Sequence, residues 1–501
     1  MPKFYMGIDI GTNETKGVLT DEAHEPLCSF AVAHTIDNPK PNFFEQDAEK
    51  IWWGDFCKVS RGLLKKSGVA AEQIAAVGAS VMGCDCLPVD ENCHPLRPAI
   101  LYGIDARSQD EILELRELFG EEGVNARFGH PLCSDDVATK ILWLKNKEPE
   151  IHQKAHKILT GSSYIAAKLT DNYVIDQFLA KAAFRPLYRE DGSIDEEACG
   201  LFCKPSQLAE CKTVTELAGV VTKKAAAETG LAPGTPVITG TGDSTAEAIS
   251  VGIVETGDLM FQFGSSLFFY CCSDHMITDP RIHGGNFTVP DTFSVSGGTN
   301  AAGTLIRWLR DNFFQDFMSE EAMGGENAYA AMAKTLPPSA EGLIILPYFA
   351  GERSPINDPR AKGMIFGLTT EHKREHIYRA ALEAVGFSVN QNLKLIEDVG
   401  LATKTITAVG GGTKNTEWMQ LVADITGKEI RVPAVSIGAC FGDALMAAMG
   451  VGDIESFAEL KKIIRPGYCK TPNGELSEMY ENKQKIYDEL YTATKHLMYK
   501  L

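Results

Sequence analysis

The 501-residue sequence lacks the features of several common protein classes. No apolar run approaches the roughly 20 residues that a membrane helix needs, and the longest, around "LFFYCC" at 267–272, has the length of a strand. The N-terminus has no basic segment followed by an apolar run and a small-residue cleavage site, so we expect no secretory signal. Basic residues are fewer than acidic ones: the chain has 48 Lys and Arg against 67 Asp and Glu, so its net charge is −19. This charge argues against nucleic acid or anionic membranes as partners, because both require a basic face.

Cysteine and glycine motifs of known type are missing as well. The thirteen cysteines are scattered and form no CxxC pair, and the spacings of Cys84 with Cys86 and of Cys271 with Cys272 do not suit a structural zinc site. We therefore expect reduced, mostly buried thiols in a cytoplasmic protein. There is no GxxxxGK[ST] and no GxGxxG opening a helix, which argues against a P-loop and against a dinucleotide-binding fold.

What the sequence does contain predicts a two-domain α/β protein. Its 44% apolar and 23% charged residues are typical of a globular chain, and its length favours two domains of roughly 250 residues each. "KFYMGIDIG", "KGVLTDE" and "EPLCSFAVAH" predict an antiparallel meander of three strands. "GDLMFQFGSSLFFYCC" repeats the strand, turn and strand pattern, which indicates a weak internal duplication at the scale of a domain.

The first strand carries a carboxylate before a turn of small residues. Asp9 is followed by Gly11, Thr12 and Asn13, whose backbone N–H groups and small side chains leave room for a phosphate tail. The carboxylate would then reach a phosphate-bound Mg²⁺, directly or through water. The alternative is a β-hairpin in which Asp9 only hydrogen-bonds the turn.

A second carboxylate follows a buried strand in "ITGTGDSTAEA". Asp243 stands at a glycine turn, where it would take the proton from a substrate hydroxyl as that oxygen attacks phosphorus. On local grounds it is equally well interpreted as the N-cap of the helix that follows.

Two more small-residue turns follow. Gly264 and Ser265 lie between apolar strands in "FQFGSSLFF", where they would form a second phosphate turn. In "AVGGGTKNTEWMQ", Gly411 and Gly412 would let a nucleoside lie against the backbone, and Asn415 would supply polar contacts. Each turn taken alone is also common in hairpins and loops.

In this order, the four segments resemble the FGGY carbohydrate kinases of the actin, Hsp70 and sugar-kinase superfamily. The most specific similarity is "GMIFGLTTEHKREHIYRAALEAV" at 363–385, which is similar to the family's C-terminal signature. "LPYFAGERSPINDPRAKG", "FFEQDAEKIWW" and "SGGTNAAGTLIRWLRD" also resemble the family, and the similarity runs from about residue 4 to 450.

The resemblance implies the fold, the domains and the ligands. The fold would be the two-domain actin/Hsp70/sugar-kinase (ribonuclease H-like) α/β fold, with an ATP cleft between the domains. Residues 1–245 would bind the sugar and the phosphate tail, and residues 246–501 the adenosine. The resemblance also suggests a homodimer.

It implies roles for individual residues too. Asp9 would hold the Mg²⁺ of MgATP, and Asp243 would be the catalytic base. The ATP-binding positions would be Thr12, Asn13, Lys16, Gly264, Ser265, Gly303, Gly411, Gly412 and Asn415.

The sugar site departs from the family pattern. The layout and "LRPAILY" are most similar to the xylulokinases, which have Gln-Met-His-Gly where this chain has Met82, Gly83, Cys84 and Asp85. The family's Trp-Asn-Asp-x-Arg becomes "YGIDAR", in which Asp105 is the matching carboxylate. Besides Asp243, the substrate-binding positions would therefore be Met82, Gly83, Cys84 and Asp105.

The function implied is transfer of the γ-phosphoryl group of MgATP to a hydroxyl of a ketopentose such as xylulose. Another pentulose or a polyol (ribulose, L-xylulose, glycerol or erythritol) stays open as substrate. A protein of the same superfamily that uses ATP as a non-catalytic conformational switch is the alternative class, although such a protein needs no base beside a sugar pocket.

Overall fold

The computed structural model of the protein describes residues 2–501. Its strands are β1 (Phe4–Ile10), β2 (Glu14–Thr20), β3 (Pro26–Ala33), β4 (Asp37–Lys40), β5 (Phe43–Gln46), β6 (Ile74–Val81), β7 (Leu87–Val89), β8 (Ala99–Ile100), β9 (Lys157–Leu159), β10 (Val174–Asp176), β11 (Glu210–Lys212), β12 (Leu217–Val220), β13 (Pro236–Ile238), β14 (Thr241–Gly242), β15 (Asp258–Phe263), β16 (Leu267–Ser273), β17 (His283–Asn286), β18 (Phe293–Thr299), β19 (Ile344–Leu346), β20 (Met364–Phe366), β21 (Thr405–Val409), β22 (Ile430–Pro433) and β23 (Pro466–Lys470).

The α-helices are α1 (Gly54–Ser67), α2 (Gln109–Phe128), α3 (Val137–Lys147), α4 (Pro149–Lys154), α5 (Gly161–Thr170), α6 (Gln177–Ala182), α7 (Glu196–Phe202), α8 (Lys223–Thr229), α9 (Asp243–Ser250), α10 (Gly303–Phe313), α11 (Gln315–Ala322), α12 (Ala328–Lys334), α13 (Arg374–Asp398), α14 (Thr416–Thr426), α15 (Ala439–Gly450), α16 (Leu460–Ile463) and α17 (Ser477–Met498). Shorter helical turns occupy Ala48–Trp53, Ala71–Gln73, Pro205–Gln207, Gly411–Lys414, Phe457–Glu459 and Gly474–Leu476. Among residues 2–501 we find no helix with the length and apolar character required to cross a bilayer.

The chain forms two compact units, each with its own sheet and core. The first unit contains residues 2–254, 286–292 and 437–464, and the second contains residues 255–285, 293–436 and 465–501.

The central sheet of the first unit has the strand order β12-β13-β6-β1-β2-β3, with β14 beside β6. Strands β1, β2 and β3 are antiparallel neighbours, which confirms the predicted meander. On its other side β1 pairs in parallel with β6, so the sheet is mixed. The parallel strands place their carboxyl ends at one edge, where side chains from separate parts of the sequence meet.

The sheet of the second unit repeats this arrangement. Strands β15, β16 and β18 are antiparallel neighbours, and β15 pairs in parallel with β21 on its other side. Three antiparallel strands beside a parallel one therefore occur in both sheets, as the weak internal duplication predicted.

Helix α15 packs unusually close to the sheet of the first unit. A Cβ atom on Gly7 of β1 or on Gly78 of β6 would lie closer than 3.0 Å to backbone atoms of α15, and Gly442 of α15 meets the backbone of α9 in the same way. Gly7 and Gly78 are direct neighbours across the β1–β6 pair, so together they form a flat contact for the helix. The helix is buried over nearly its whole length, which explains its apolar composition.

Candidate active site

Three adjacent strands of the first unit end at the same edge of the sheet. Asp9 near the end of β1 lies opposite Ser80 of β6, and Ser80 lies opposite Thr241 of β14 on its other side. Asp243 follows two residues after Thr241. The edge therefore brings together the two carboxylates, Asp9 and Asp243, that the sequence singled out 234 positions apart in the chain.

Asp243 is the first residue of α9 and is partly exposed. Gly242 holds the N-cap position, so the alternative interpretation of Asp243 as the N-cap is wrong. One carboxylate oxygen, Oδ1, accepts a 2.7 Å hydrogen bond from the backbone N–H of Ser244, which leaves Oδ2 for another group. Burial raises the pKa of Asp243 to about 6, a value that suits a base working near neutral pH.

Further carboxylates surround this position. Burial, and next the charge of Asp243, raise the pKa of Asp9 well above its ordinary value, and burial raises the pKa of Glu247 to about 7. Asp443 of α15 has a strongly raised pKa through burial and the charge of Asp9. Lys16 opposes these charges and lowers the pKa of both Asp9 and Glu247. So many acidic groups in one place form an environment that favours a bound cation.

Ser80 connects Asp9 to Asp443. Its hydroxyl lies 3.0 Å from Oδ1 of Asp9 and 2.7 Å from Oδ2 of Asp443, and its backbone N–H donates to the same Asp443 oxygen at 3.1 Å. Among residues 2–501 no donor is bonded to Oδ2 of Asp9. An oxygen ligand of this kind fits Mg²⁺, which is bound by one or two carboxylates together with phosphate oxygens.

The turn after β1 presents free backbone donors. The N–H of Gly11 bonds to the carbonyl of Glu14, and the carbonyl oxygens of Thr12 and Asn13 accept hydrogen bonds from Gln46 and His34. The N–H groups of Thr12 and Asn13 have no acceptor within the described part of the chain. Two unpaired backbone N–H groups in one turn are donors suited to an anion such as phosphate.

The predicted sugar segment lies beside Asp243. Gly83 and Gly242 are neighbours, since a Cβ on Gly242 would be in van der Waals contact, at 3.4 Å, with the Cα of Gly83. Met82 is buried, whereas Gly83 and Cys84 are partly exposed. The carbonyl of Cys84 accepts a 2.6 Å hydrogen bond from Nζ of Lys140.

Asp85 is fully buried, and neither of its carboxylate oxygens accepts a hydrogen bond of normal geometry within residues 2–501. Burial raises its pKa well above the ordinary value, although Lys140 and the nearby N–H of Tyr102 oppose that shift. The charges of Asp243 and Asp135 add to the shift. This part of the site is therefore acidic.

A carboxylate that binds substrate directly needs a free oxygen, and Asp105 is in a different environment. It is fully buried, and its oxygens accept hydrogen bonds from the guanidinium of Arg107 and from the backbone N–H groups of Arg107 and Phe44. Direct substrate binding by Asp105 stays a prediction. Its neighbour Tyr102 is joined to the turn, because its hydroxyl lies 3.2 Å from Oγ1 of Thr12.

In the second unit the predicted phosphate turn is joined to a helix. Gly264 and Ser265 lie between β15 and β16, and the N–H of Gly303, the first residue of α10, donates to the carbonyl of Gly264 at 3.0 Å. A Cβ on Gly303 would lie closer than 3.0 Å to that carbonyl oxygen. The N–H groups of Ser265 and Ser266 have no acceptor among the described residues, so this turn also offers free donors.

The glycine turn after β21 lies against the same strand end. Gly410 has a φ of 90°, which favours glycine, and a Cβ on Gly412 would lie 2.8 Å from the side chain of Phe263, the last residue of β15. Asn415 caps α14 through a 3.0 Å bond from the N–H of Trp418 to its Oδ1, and its Nδ2 donates to Tyr378. The predicted adenosine and phosphate turns of this unit are therefore neighbours.

Sequence reasoning missed four side chains of the first unit's site: Ser80, Lys140, Glu247 and Asp443. The available signals were a carboxylate inside the otherwise apolar "ACFGDALMAA" and a lysine inside "VATKILWL". A charged residue in a buried helix is costly without a partner, so each of these patterns indicates a buried polar contact.

Comparison with known proteins identifies the family. The N-terminal domain of the FGGY family of carbohydrate kinases matches residues 4–250, and the C-terminal domain of the same family matches residues 259–451. The chain belongs to the FGGY family of carbohydrate kinases. It is thus a phosphotransferase with the two-domain FGGY kinase fold.

Relatives of this FGGY kinase carry more than one name. A gluconokinase of Bacillus subtilis (strain 168) is 29% identical over 98% of this chain and 96% of its own length. A xylulose kinase of Escherichia coli (strain K12) is 26% identical over 99% of this chain and 100% of its own length. The crystal structure of xylulose kinase from Rhodospirillum rubrum matches with a TM-score of 0.86 and 28% identity, covering 99% of this chain and 100% of that one. Both names occur at similar identity, so identity alone does not single out the acceptor sugar.

Proposed function

We propose that this FGGY kinase transfers the γ-phosphoryl group of ATP to a hydroxyl of a neutral ketopentose such as xylulose, with Asp243 as the general base. The observation that carries the proposal is the position of Asp243: it is partly exposed, beside the segment 82–85, and has a pKa raised to about 6. A protein that used ATP only as a switch would have no need of a base at this place.

Different residues of the first unit would accept the proton, bind the phosphates and hold the metal ion. Oδ2 of Asp243 takes the proton of the attacking hydroxyl, while Ser244 N–H holds the other oxygen in place. The free N–H groups of Thr12 and Asn13, with the charge of Lys16, bind the terminal phosphates. Asp9 would hold Mg²⁺ through its unpaired oxygen, and the ion would neutralise charge on the phosphoryl group.

The turns of the second unit would also bind nucleotide. The free N–H groups beside Gly264 and Ser265 suit a phosphate, and Gly303 fixes the geometry of that turn. Gly411 and Gly412 lack side chains where a flat adenosine would lie, and Asn415 holds the start of α14 in place next to them.

The charge of the sugar site favours a neutral acceptor over an aldonate. The charges of Asp243 and Asp135 raise the pKa of Asp85, and the same two charges would repel a carboxylate entering there. Of the cations nearby, Arg107 pairs with Asp105 and Glu45, and the charge of Lys140, which donates to the carbonyl of Cys84, acts on Asp85. Gluconate, the acceptor that the name of the Bacillus relative implies, is therefore a poorer fit than xylulose, and a pentulose or polyol of another kind is the second candidate.

We expect kcat to fall as the pH is lowered through about 6. Asp243 must be ionised to accept a proton, and because burial raises its pKa to about 6, protonation removes the base below that pH. The fall should approach about tenfold per pH unit, measured as ADP release at saturating ATP, Mg²⁺ and sugar. A rate that stayed flat down to a pH of about 5 would mean that the base is an ordinary exposed carboxylate.

We also expect neutral ketopentoses to give much faster ADP release than gluconate. The panel is D-xylulose, L-xylulose, D-ribulose, glycerol, erythritol and D-gluconate, each tested at equal concentration against ATP alone. At least one neutral compound should raise kcat/KM about 100-fold over gluconate, equivalent to about 3 kcal/mol of discrimination. Turnover highest with gluconate would contradict the electrostatic argument, and no turnover with any compound would contradict the proposed substrate class.

A further inference from the structure

We propose that Asp443 is a positioning residue, which acts through Ser80 to hold the Asp9 carboxylate in the orientation required for metal binding. The inference rests on the proposed function, because it assigns Asp9 to the metal. Asp443 itself touches neither substrate nor nucleotide in this proposal.

The hydrogen bonds of Ser80 carry the first step. Oδ2 of Asp443 accepts both from the hydroxyl of Ser80, at 2.7 Å, and from its backbone N–H, at 3.1 Å. Two bonds from one residue to one oxygen fix the main chain and the side chain of Ser80 together. The rotamer of the hydroxyl is then determined by α15 rather than by the sheet alone.

The second step joins Ser80 to Asp9. The hydroxyl oxygen of Ser80 also lies 3.0 Å from Oδ1 of Asp9, so its one hydrogen is shared between the two carboxylates in a three-centre hydrogen bond. Ser80 and Asp9 are direct partners across the β1–β6 pair. A carboxylate anchored at one oxygen has its other oxygen directed to a defined side. In Asp9 that other oxygen is the one that no protein donor within residues 2–501 occupies.

The packing of α15 supplies the third step. Asp443 reaches Ser80 because the helix lies against Gly7 and Gly78, where any side chain would collide with its backbone. The carboxylate is fully buried, and Oδ1 of Asp443 has no hydrogen-bond partner in the described chain. Burying a carboxylate with one oxygen unsatisfied is costly, and this cost is explained if the other oxygen performs a positioning task.

The experiment measures metal binding without turnover. Mn²⁺ binding to the enzyme–ADP complex is followed by electron paramagnetic resonance for wild type, Ser80→Ala, Asp443→Ala and the double variant. Each single substitution should weaken Mn²⁺ binding about tenfold, as expected for the loss of a hydrogen bond to a charged group. The double variant should be no weaker than Ser80→Ala, because the two residues act in series. The free Mg²⁺ needed for half-maximal rate should rise in parallel while KM for the sugar stays unchanged.

Two further variants separate positioning from other effects. Asp443→Asn keeps an oxygen that can accept from Ser80, so Mn²⁺ binding should stay within about threefold of wild type. Ser60→Ala removes another fully buried hydroxyl of the first unit, one without a hydrogen-bond partner among residues 2–501, and should leave Mn²⁺ binding unchanged.

Three results would overturn the proposal: wild-type Mn²⁺ binding by folded Ser80→Ala, additive losses in the double variant, or a loss in Asp443→Asn as large as in Asp443→Ala. The last would show that the metal senses the charge of Asp443 and not its hold on Ser80. Since ADP and Mn²⁺ are bound without sugar, failure to find an acceptor sugar would leave this test intact.

Discussion

Replacement of Asp243 by Asn is expected to lower sugar-dependent ADP release by about 10³, within the range that general-base catalysis contributes. The amide retains an oxygen that can accept from the N–H of Ser244, so the start of α9 should keep its structure. What is lost is the ability to take a proton from the acceptor hydroxyl. The measurement is kcat with the best sugar of the panel, together with ADP affinity by calorimetry, which should change little.

Asp195→Asn is the matched control for this prediction. Asp195 also stands at the start of a helix of the first unit, where its Oδ1 accepts from the N–H of Ala198 at 3.0 Å. It lies outside the site, so its replacement should leave kcat within about twofold of wild type. If Asp243→Asn kept more than a tenth of the wild-type kcat, Asp243 would not be the base.

The second large effect is expected for Gly7→Ala. The new Cβ would lie closer than 3.0 Å to the backbone of α15 at Cys440 and Ala444, and backbone atoms of a buried helix cannot give way as a flexible side chain does. We expect the free energy of unfolding of the first unit to fall by about 3 kcal/mol, the upper part of the range for overpacking. Urea unfolding followed by fluorescence and circular dichroism measures the change.

Gly200→Ala is the control for the glycine prediction. Gly200 is exposed in α7, and its Cβ would meet no atom within 4 Å. Because alanine favours helix over glycine, this variant should be as stable as wild type or more stable by up to about 1 kcal/mol. Equal stability of Gly7→Ala and wild type would mean that α15 does not need its close approach to the sheet.

Local patterns made much of the structure predictable. Alternating apolar residues and small-residue turns are properties of a few neighbouring positions, so the meander at β1–β3, the hairpin at β15–β16 and the turns around Asp9 and Gly264 followed from the sequence. The family resemblance then placed Asp9 and Asp243 in one site, and the sheet edge has them together.

Side-chain partners across long separations were not predictable in the same way. Ser80 and Asp443 are 363 positions apart, and their hydrogen bonds depend on the close packing of α15 against Gly7 and Gly78. The full engagement of Asp105 by Arg107 and Phe44 likewise depends on tertiary packing, as does the unpaired state of Asp85. The spacing of apolar and polar residues along the sequence does not predict these contacts.

The place of α15 in the first unit has a consequence for synthesis of the chain. Residues 2–254 emerge from the ribosome first, but the helix that covers Gly7 and Gly78 begins only at Ala439. Roughly 190 further residues must be translated before it arrives, which takes about 10–40 s at 5–20 residues per second. During that delay the apolar face of β1 and β6 that α15 covers stays exposed. A nascent chain halted after Val254 would therefore present this face to chaperones.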